Sequence, residues 1–226
     1  MKKILLSFCF ALCYMAAFAQ VSSDYEYSVG LRVYSSMQTP KILNQVNSQD
    51  YSTKYANSIF IKFNDNQLSY RIIGGYYSKQ LTFSNQCEGC QTASGKDSDY
   101  FLKIGFEKSF NYSRIQPYLG FDIGYRSNAF TGVVMNNQPG STAPNYNVEI
   151  NKNGLLLSPL LGIKVNVVNG LTFFAEGTLD FYYAYERRET VDQVAGSPTV
   201  NNRFTRLEYL LNPVALGVQF NFGSRN

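Results

Sequence analysis

Apolar and polar residues change places at every second position in eight separate stretches of this chain. In the first, Tyr25, Tyr27, Val29, Leu31 and Val33 share one parity, and Glu26, Ser28, Gly30 and Arg32 the other. Ile59, Ile61 and Phe63 follow, interleaved with Ser58, Phe60 and Lys62. Leu68, Tyr70, Ile72 and Tyr76 then stand against Ser69, Arg71 and Gly75, and Tyr100, Leu102, Ile104 and Phe106 against Lys103, Gly105 and Glu107. The second half repeats the code with Leu119, Phe121, Ile123 and Tyr125 against Gly120, Asp122, Gly124 and Arg126. Leu155, Leu157, Leu161, Ile163, Val165 and Val167 alternate with Ser158, Gly162, Lys164 and Asn166. Phe173, Ala175, Leu179, Phe181, Tyr183 and Tyr185 face Thr172, Glu176, Thr178, Asp180 and Glu186, and Val214, Leu216, Val218, Phe220 and Phe222 close the series. Successive side chains of a strand point to opposite sides, so a period of two predicts eight strands with unlike faces. In the last stretch Leu207, Tyr209 and Leu211 lie on the opposite parity from Val214, which predicts a bulge at Asn212-Pro213, where proline cannot donate to a ladder.

The connections sort by length. Asn64–Asn66, Asn111–Arg114 and Val168–Gly170 are tight, whereas 36–56, 84–98, 127–152 and 187–203 are long and polar. Long and short alternate from first to last, which is the order of an all-β, eight-stranded, antiparallel up-and-down transmembrane barrel. Such barrels have short periplasmic turns and longer outer loops. No second domain or linker interrupts residues 20–226, the expected barrel domain.

The first twenty residues carry an address. Lys2 and Lys3 precede the apolar run Ile4–Phe18, and Ala17-Phe18-Ala19 ends before Gln20 as a signal-peptidase site would. Residues 1–19 are therefore expected to be a cleaved signal peptide, the run being shorter than the ~20 residues of a spanning helix. Cys9 and Cys13 lie inside it without a lipobox, so no lipid anchor is expected. Losing Lys2 and Lys3 lowers the net charge from +4 to +2, too weak a balance for a nucleic-acid partner. With 18 Tyr, 17 Phe, 17 Gly and only 16% charged residues, the composition suits strands in a membrane. Leu155–Val168 is interrupted by Pro159, Gly162, Lys164 and Asn166 and cannot be a helical span.

Alternation alone does not say which face is outward. The apolar face carries a large side chain at nearly every position, and eight strands enclose only enough room for modest side chains. That face is therefore expected to meet lipid, with the Gly-, Ser- and Thr-rich face inside. The interior would then hold Glu26, Arg32, Lys62, Arg71, Lys103, Glu107, Asp122, Arg126, Lys164, Glu176, Asp180 and Glu186, six acids and six bases. A lone buried charge is costly, so this balanced set is expected to pair into a plug that sets strand register, in preference to an ion or proton pathway.

Chemistry is constrained by absence. The chain has no histidine, so neither a Ser-His-Asp nor a Cys-His arrangement can be built. A carboxylate mechanism would have to use Asp122, Glu176 or Asp180, and a packed barrel disfavours it; no enzyme, metal or cofactor is expected. Cys87-Glu88-Gly89-Cys90 lies in the second long loop. A redox motif would need a helix N-terminus and a zinc site two more ligands, so a disulfide formed during export is the preferred reading.

The Ala-Phe-Ala-Gln site, the strand Gln116–Tyr125 with its Pro-Tyr-Leu-Gly and Gly-Tyr, and the ending Leu216–Phe222 resemble the outer-membrane β-barrel domain proteins of the Bacteroidetes, loosely called porin-family proteins. The terminal aromatic strand is similar to the signal read by the barrel-assembly machinery, although Gly223–Asn226 follow its last aromatic, and Tyr must replace the absent Trp in any aromatic girdle. The resemblance implies the fold, an outer-membrane location, bilayer lipid as surroundings and the assembly machinery as a transient partner. It implies no activity. The expected role is a structural or surface-interaction protein working through its outer loops, where strands seven and eight would form a ridge able to accept a partner's strand. The loops could equally just shield the barrel. A narrow porin-like channel for small solutes and an accessory subunit of an envelope secretion or assembly machine are the alternatives.

Overall fold

A computed structural model describes residues 25–47 and 51–224. The expected signal peptide, and residues 20–24 of the barrel domain, lie outside the described residues. Eight strands pair with their chain neighbours and close into one barrel: β1 (Tyr25–Gln38), β2 (Tyr51–Asp65), β3 (Leu68–Asn85), β4 (Gln91–Ser109), β5 (Ile115–Asn136), β6 (Tyr146–Val168), β7 (Leu171–Asp192) and β8 (Val200–Ser224). Every ladder is antiparallel, including the closing one between β1 and β8. The strand count, the order and the short turns agree with the sequence pattern.

The apolar parity faces outward. Ile59, Ile61, Tyr70, Ile72, Leu102, Ile104, Ile123, Leu161 and Phe220 are all exposed, whereas Lys62, Arg71, Lys103, Glu107 and Asp122 on the other parity are buried. This inside-out distribution is stable only in a bilayer, where the exposed ring meets hydrocarbon and the backbone satisfies itself around a closed ladder. Tyr76, Tyr100, Tyr125, Tyr183 and Tyr209 stand at the outer rim of this belt, where tyrosine can keep its ring in lipid and its hydroxyl in water.

Two features depart from the sequence reading. The interior admits large rings after all: Phe60, Phe101, Tyr118 and Phe174 are buried within it. Each lies directly across a ladder from a glycine, in the pairs Gly30↔Phe60, Gly75↔Phe101, Gly162↔Tyr118 and Gly217↔Phe174. A Cβ on Gly162 would come within 2.4 Å of the Tyr118 ring, and one on Gly217 within 2.3 Å of Phe174. The missing side chains thus make the room that the narrow bore withholds.

The strands also run far beyond the belt, and the stretches read as long loops are mostly ladder. β3 pairs with β4 as far as Asn85↔Gln91, β5 with β6 to Val134↔Tyr146, and β7 with β8 to Thr190↔Val200. Above the tyrosine rim the code inverts. Leu81, Phe83, Ala93, Phe130, Val134, Val148 and Ile150 now point inward as a second core, while Ser94, Lys96, Thr131, Asn147 and Glu149 occupy the outward parity. Water lies outside there, so the apolar residues turn in as in any soluble sheet. The inverted code, rich in Ser, Asn and Gly, hid these strands.

Among the described residues this outer palisade is a continuous sheet of β3 to β8, beside which the ends of β1 and β2 pair with each other, to Gln38↔Tyr51. The β2–β3 ladder ends at Ser58↔Gly75 and the β1–β8 ladder at Ser36↔Val214, although β3 and β8 continue outward. The segment after β1 folds inward and caps the mouth: Ile42 and Leu43 are buried in the second core, and Val46 donates its N–H to the Ser84 carbonyl at 3.1 Å. In β8 the expected irregularity is present, with the register shifting opposite Glu176/Thr178 and Pro213 in neither ladder.

Substituting Ile104→Arg, which faces mid-belt, should destabilise the barrel by about 2–4 kcal/mol in denaturant unfolding from lipid vesicles, whereas Thr131→Arg on the palisade should change it by about 0–1 kcal/mol. Equal effects would place both positions in the same solvent.

Candidate functional site

Inside the belt the charges form one connected network and one separate pair. Arg71 is the hub of the network. Its Nη2 donates to Asp122 Oδ2 at 2.5 Å, and its Nη1 reaches Glu176 Oε2 at 3.0 Å and Glu107 Oε2 at 3.3 Å. Arg32 pairs with Glu176 Oε1, while the Tyr118 hydroxyl donates at 2.9 Å to the Oε2 that Arg71 also reaches. Glu107 further accepts from Lys62 at 2.9 Å and Lys164 at 2.6 Å. The separate pair is Lys103 and Asp180: the lysine bonds Asp180 at 2.7 Å and the Ser158 hydroxyl at 2.9 Å, and Asn212 donates to the second Asp180 oxygen at 3.0 Å. These ionisable groups come from every strand except β8, so each ion pair fixes a register between strands. Rings of Phe60, Phe101, Phe174 and Tyr182 fill the space between them. The arrangement is a plug in which each carboxylate is held by at least one buried cation.

A second tier lies at the outer rim. Arg126 Nη2 donates to Asp99 Oδ2 at 2.7 Å, and Asn128 Nδ2 to Asp97 Oδ1 at 2.8 Å. The Tyr77 hydroxyl donates to Asp99 at 3.2 Å. Lys54 is buried with its ammonium 2.8 Å from the centre of the Tyr77 ring and without a hydrogen-bond acceptor among the described residues. Higher still, Glu186 receives Arg188 at 2.8 Å and Lys152 at 3.5 Å, and Lys152 bonds Glu208 at 2.5 Å. Lys54, Asp97 and Lys152 fall in stretches expected to be loops, Asp99 between such a stretch and the strand from Tyr100, and Glu208 on a strand whose parity switches, so none belongs to the expected interior set. Continuing the parity of Lys103 and Glu107 back along β4 would have found Asp97 and Asp99.

Of the twelve residues expected inside, Glu26 is half-buried at the periplasmic rim and makes no ion pair among the described residues. The other eleven are buried. Cys87 and Cys90 are disulfide-bonded and close the turn between β3 and β4. The periplasmic mouth is a shallow cup of amides and hydroxyls that includes Asn64, Gln116, Asn166 and Asn221. On the lipid face an apolar notch of about 770 Å³ lies at Pro159, Gly177 and Pro213, where the ladders lapse.

No family model matches the chain, and no curated protein matches it. Solved structures do. A major outer membrane protein from Thermus thermophilus is similar with a TM-score of 0.52 at 13% identity, over 87% of this chain and 99% of that one. Neisserial surface protein A gives 0.52 at 12% identity, and OprG of Pseudomonas aeruginosa 0.54 at 8%, each over 87% of this chain and 97% of the other. At such identities the likeness is one of fold, that of small outer-membrane barrels. Together with the exposed belt it places the protein in the outer membrane.

Removing Glu107 as an anion by Glu107→Gln leaves Lys62, Lys164 and Arg71 facing each other in the bore. Unfolding in denaturant should show a loss of about 3–5 kcal/mol; a loss under about 1 kcal/mol would mean that water, not the ion pairs, satisfies these cations.

Asp97 lies three residues beyond Tyr100 with Lys96 and Ser98 as outward neighbours, so it stands above the membrane. Burial, then the neighbouring Asp99, push its carboxyl up to about 6, against the pull of Asn128, Lys54 and Arg126. The fold therefore favours the neutral acid: this stability is fully present below the ordinary carboxyl value and is lost as pH rises through about 6. Asp97→Asn should match the parent near pH 4 and exceed it by about 3 kcal/mol at pH 8. A variant less stable than the parent at pH 8 would show that the ionised carboxylate is needed.

Proposed function

We propose that the protein is a closed, non-catalytic outer-membrane barrel that acts at the cell surface through its outer palisade. The observation that carries this reading is the pairing of a saturated interior with an elaborate exterior. The bore is filled by ion pairs and rings, while six strands continue past the belt with their own ladders, their own core and an inward-folded cap. Structure of that kind in water is costly in chain entropy and serves no membrane function. The absence of histidine and the cation-paired carboxylates favour a role without catalysis. Kinship with the Bacteroidetes barrel-domain proteins and transient handling by the barrel-assembly machinery belong to the same reading.

The place where a partner would engage is the outer edge of β8. Beyond Val214 this strand is paired only to β7 among the described residues. Leu211 donates its N–H to Gln38 Oε1 on the β1 side, so N–H groups of the same parity, those of Thr205 and Arg203 among them, point to an open edge. An edge of this kind adds an extended segment. In a second copy inserted the same way in the membrane, β8 would run parallel to this edge and bring Arg203 and Arg206 of both copies together, which is unfavourable. An acidic extended segment of another protein suits the edge better.

Reconstituted in planar bilayers, the protein should show no unitary conductance steps; steady openings of uniform size would establish a channel and overturn the closed reading. A photo-crosslinker at Asn201 should give an adduct in intact cells that Thr205→Pro removes, because proline deletes the N–H that would join the added strand. An adduct indifferent to Thr205→Pro would count against edge pairing.

A further inference from the structure

On the outward face of the β7–β8 hairpin the residues climb from lipid into water in a fixed order. Tyr183 stands opposite Leu207, Tyr185 opposite Thr205, Arg187 opposite Arg203, and Glu189 opposite Asn201. The two tyrosines and Leu207 are exposed and belong to the belt and its rim. The next step outward, where bilayer headgroups would lie, is therefore a pair of arginines directly across one ladder. On the adjoining strand Asn151 stands opposite Arg187.

Like charges directly opposite in a sheet repel. Where cations crowd around Glu107 and Glu186, the carboxylate between them answers the repulsion. Here the answer is incomplete. Arg187 is held on one side by Glu189 and is still 54% exposed, whereas Arg203 has no carboxylate partner among the described residues. Glu189 lies opposite Glu149, so two carboxylates stand immediately above the arginines and repel an anion arriving from the water side. The approach from below, past Thr205 and Tyr185, is open. A ligand for this position must be anionic, able to accept from guanidinium forks, and carried at the height of the membrane surface.

We propose that Arg187 and Arg203, with the Thr205 hydroxyl beside them, form a seat for the phosphate of an outer-leaflet lipid. The lipid's phosphate relieves the arginine repulsion while its acyl chains lie along the exposed side chains of Tyr183, Leu207 and Tyr209. The site sits on the outward face of the hairpin, separate from the in-plane edge where a partner strand would pair, so it does not depend on the partner reading above. Arginine in this role tethers the outer end of the β7–β8 hairpin to the membrane and sets its tilt.

The test is native mass spectrometry of protein released from nanodiscs of phosphatidylcholine containing phosphatidic acid, whose exposed phosphate is the probe. The wild type should retain phosphatidic acid in preference to phosphatidylcholine. Arg187→Gln and Arg203→Gln should each weaken that retention about tenfold, the worth of one charge-assisted contact. Lys96→Gln, which removes an outward cation on β4, should leave it unchanged. Heat-modifiability on gels checks that each variant is folded. If Lys96→Gln weakens retention as much as the arginine variants, the attraction is diffuse surface charge and the seat is refuted. If inorganic phosphate at the same concentration displaces the lipid fully, the site is one for free anions and the lipid assignment fails. Retention unaffected in the double arginine variant likewise overturns it.

Discussion

Hydrocarbon offers no hydrogen bonds, and everything else in this structure follows from that. Each N–H and C=O in the belt must be answered by the chain, so the eight strands have to close on themselves. Closure with eight strands leaves a bore too narrow for bulk water. Any polar residue on the inner parity is thereby buried, and any charge there must find its counter-charge within a few ångströms. Arg71 satisfies three carboxylates at once, and Glu107 three cations, because neither has water to fall back on. The plug is the consequence of the wall.

The same chain solves the opposite problem a few residues further out. Once the strands pass the tyrosine rim, the outside is aqueous and the inside must be kept dry. The apolar parity changes sides, and Phe130, Val134, Val148 and Ile150 meet Ile42 and Leu43 over the mouth. The charged tier of Asp97, Asp99, Arg126 and Lys152 marks the boundary between the two regimes. One barrel thus has two interiors, ionic below and apolar above. The first serves the membrane, and the second gives the surface region its rigidity.

Much of this was legible in the residues. Eight stretches of strict alternation, sorted by connections of alternating length, define strand number, order and orientation without reference to any partner. The inner charges from Arg32 to Glu186 could be picked out by parity, since the belt imposes one solvent on one face over a long run. Reading failed where the solvent changed. Much of the outer halves of β3 to β8 looks like polar loop because the code is inverted and diluted by Ser, Asn and Gly, which conceals Asp97 and Lys152. The accommodation of Phe60, Phe101, Tyr118 and Phe174 was equally hidden. It depends on a glycine brought opposite by pairing, which no single stretch reveals.

The sequence alone therefore determined the strand count and the outward face, because both rest on a local pattern that lipid enforces residue by residue. Only the tertiary structure decided which charge meets which, where the ladders stop, and which edge of β8 is left open. Those depend on register between strands distant in the chain, and register is set by the whole ring closing at once.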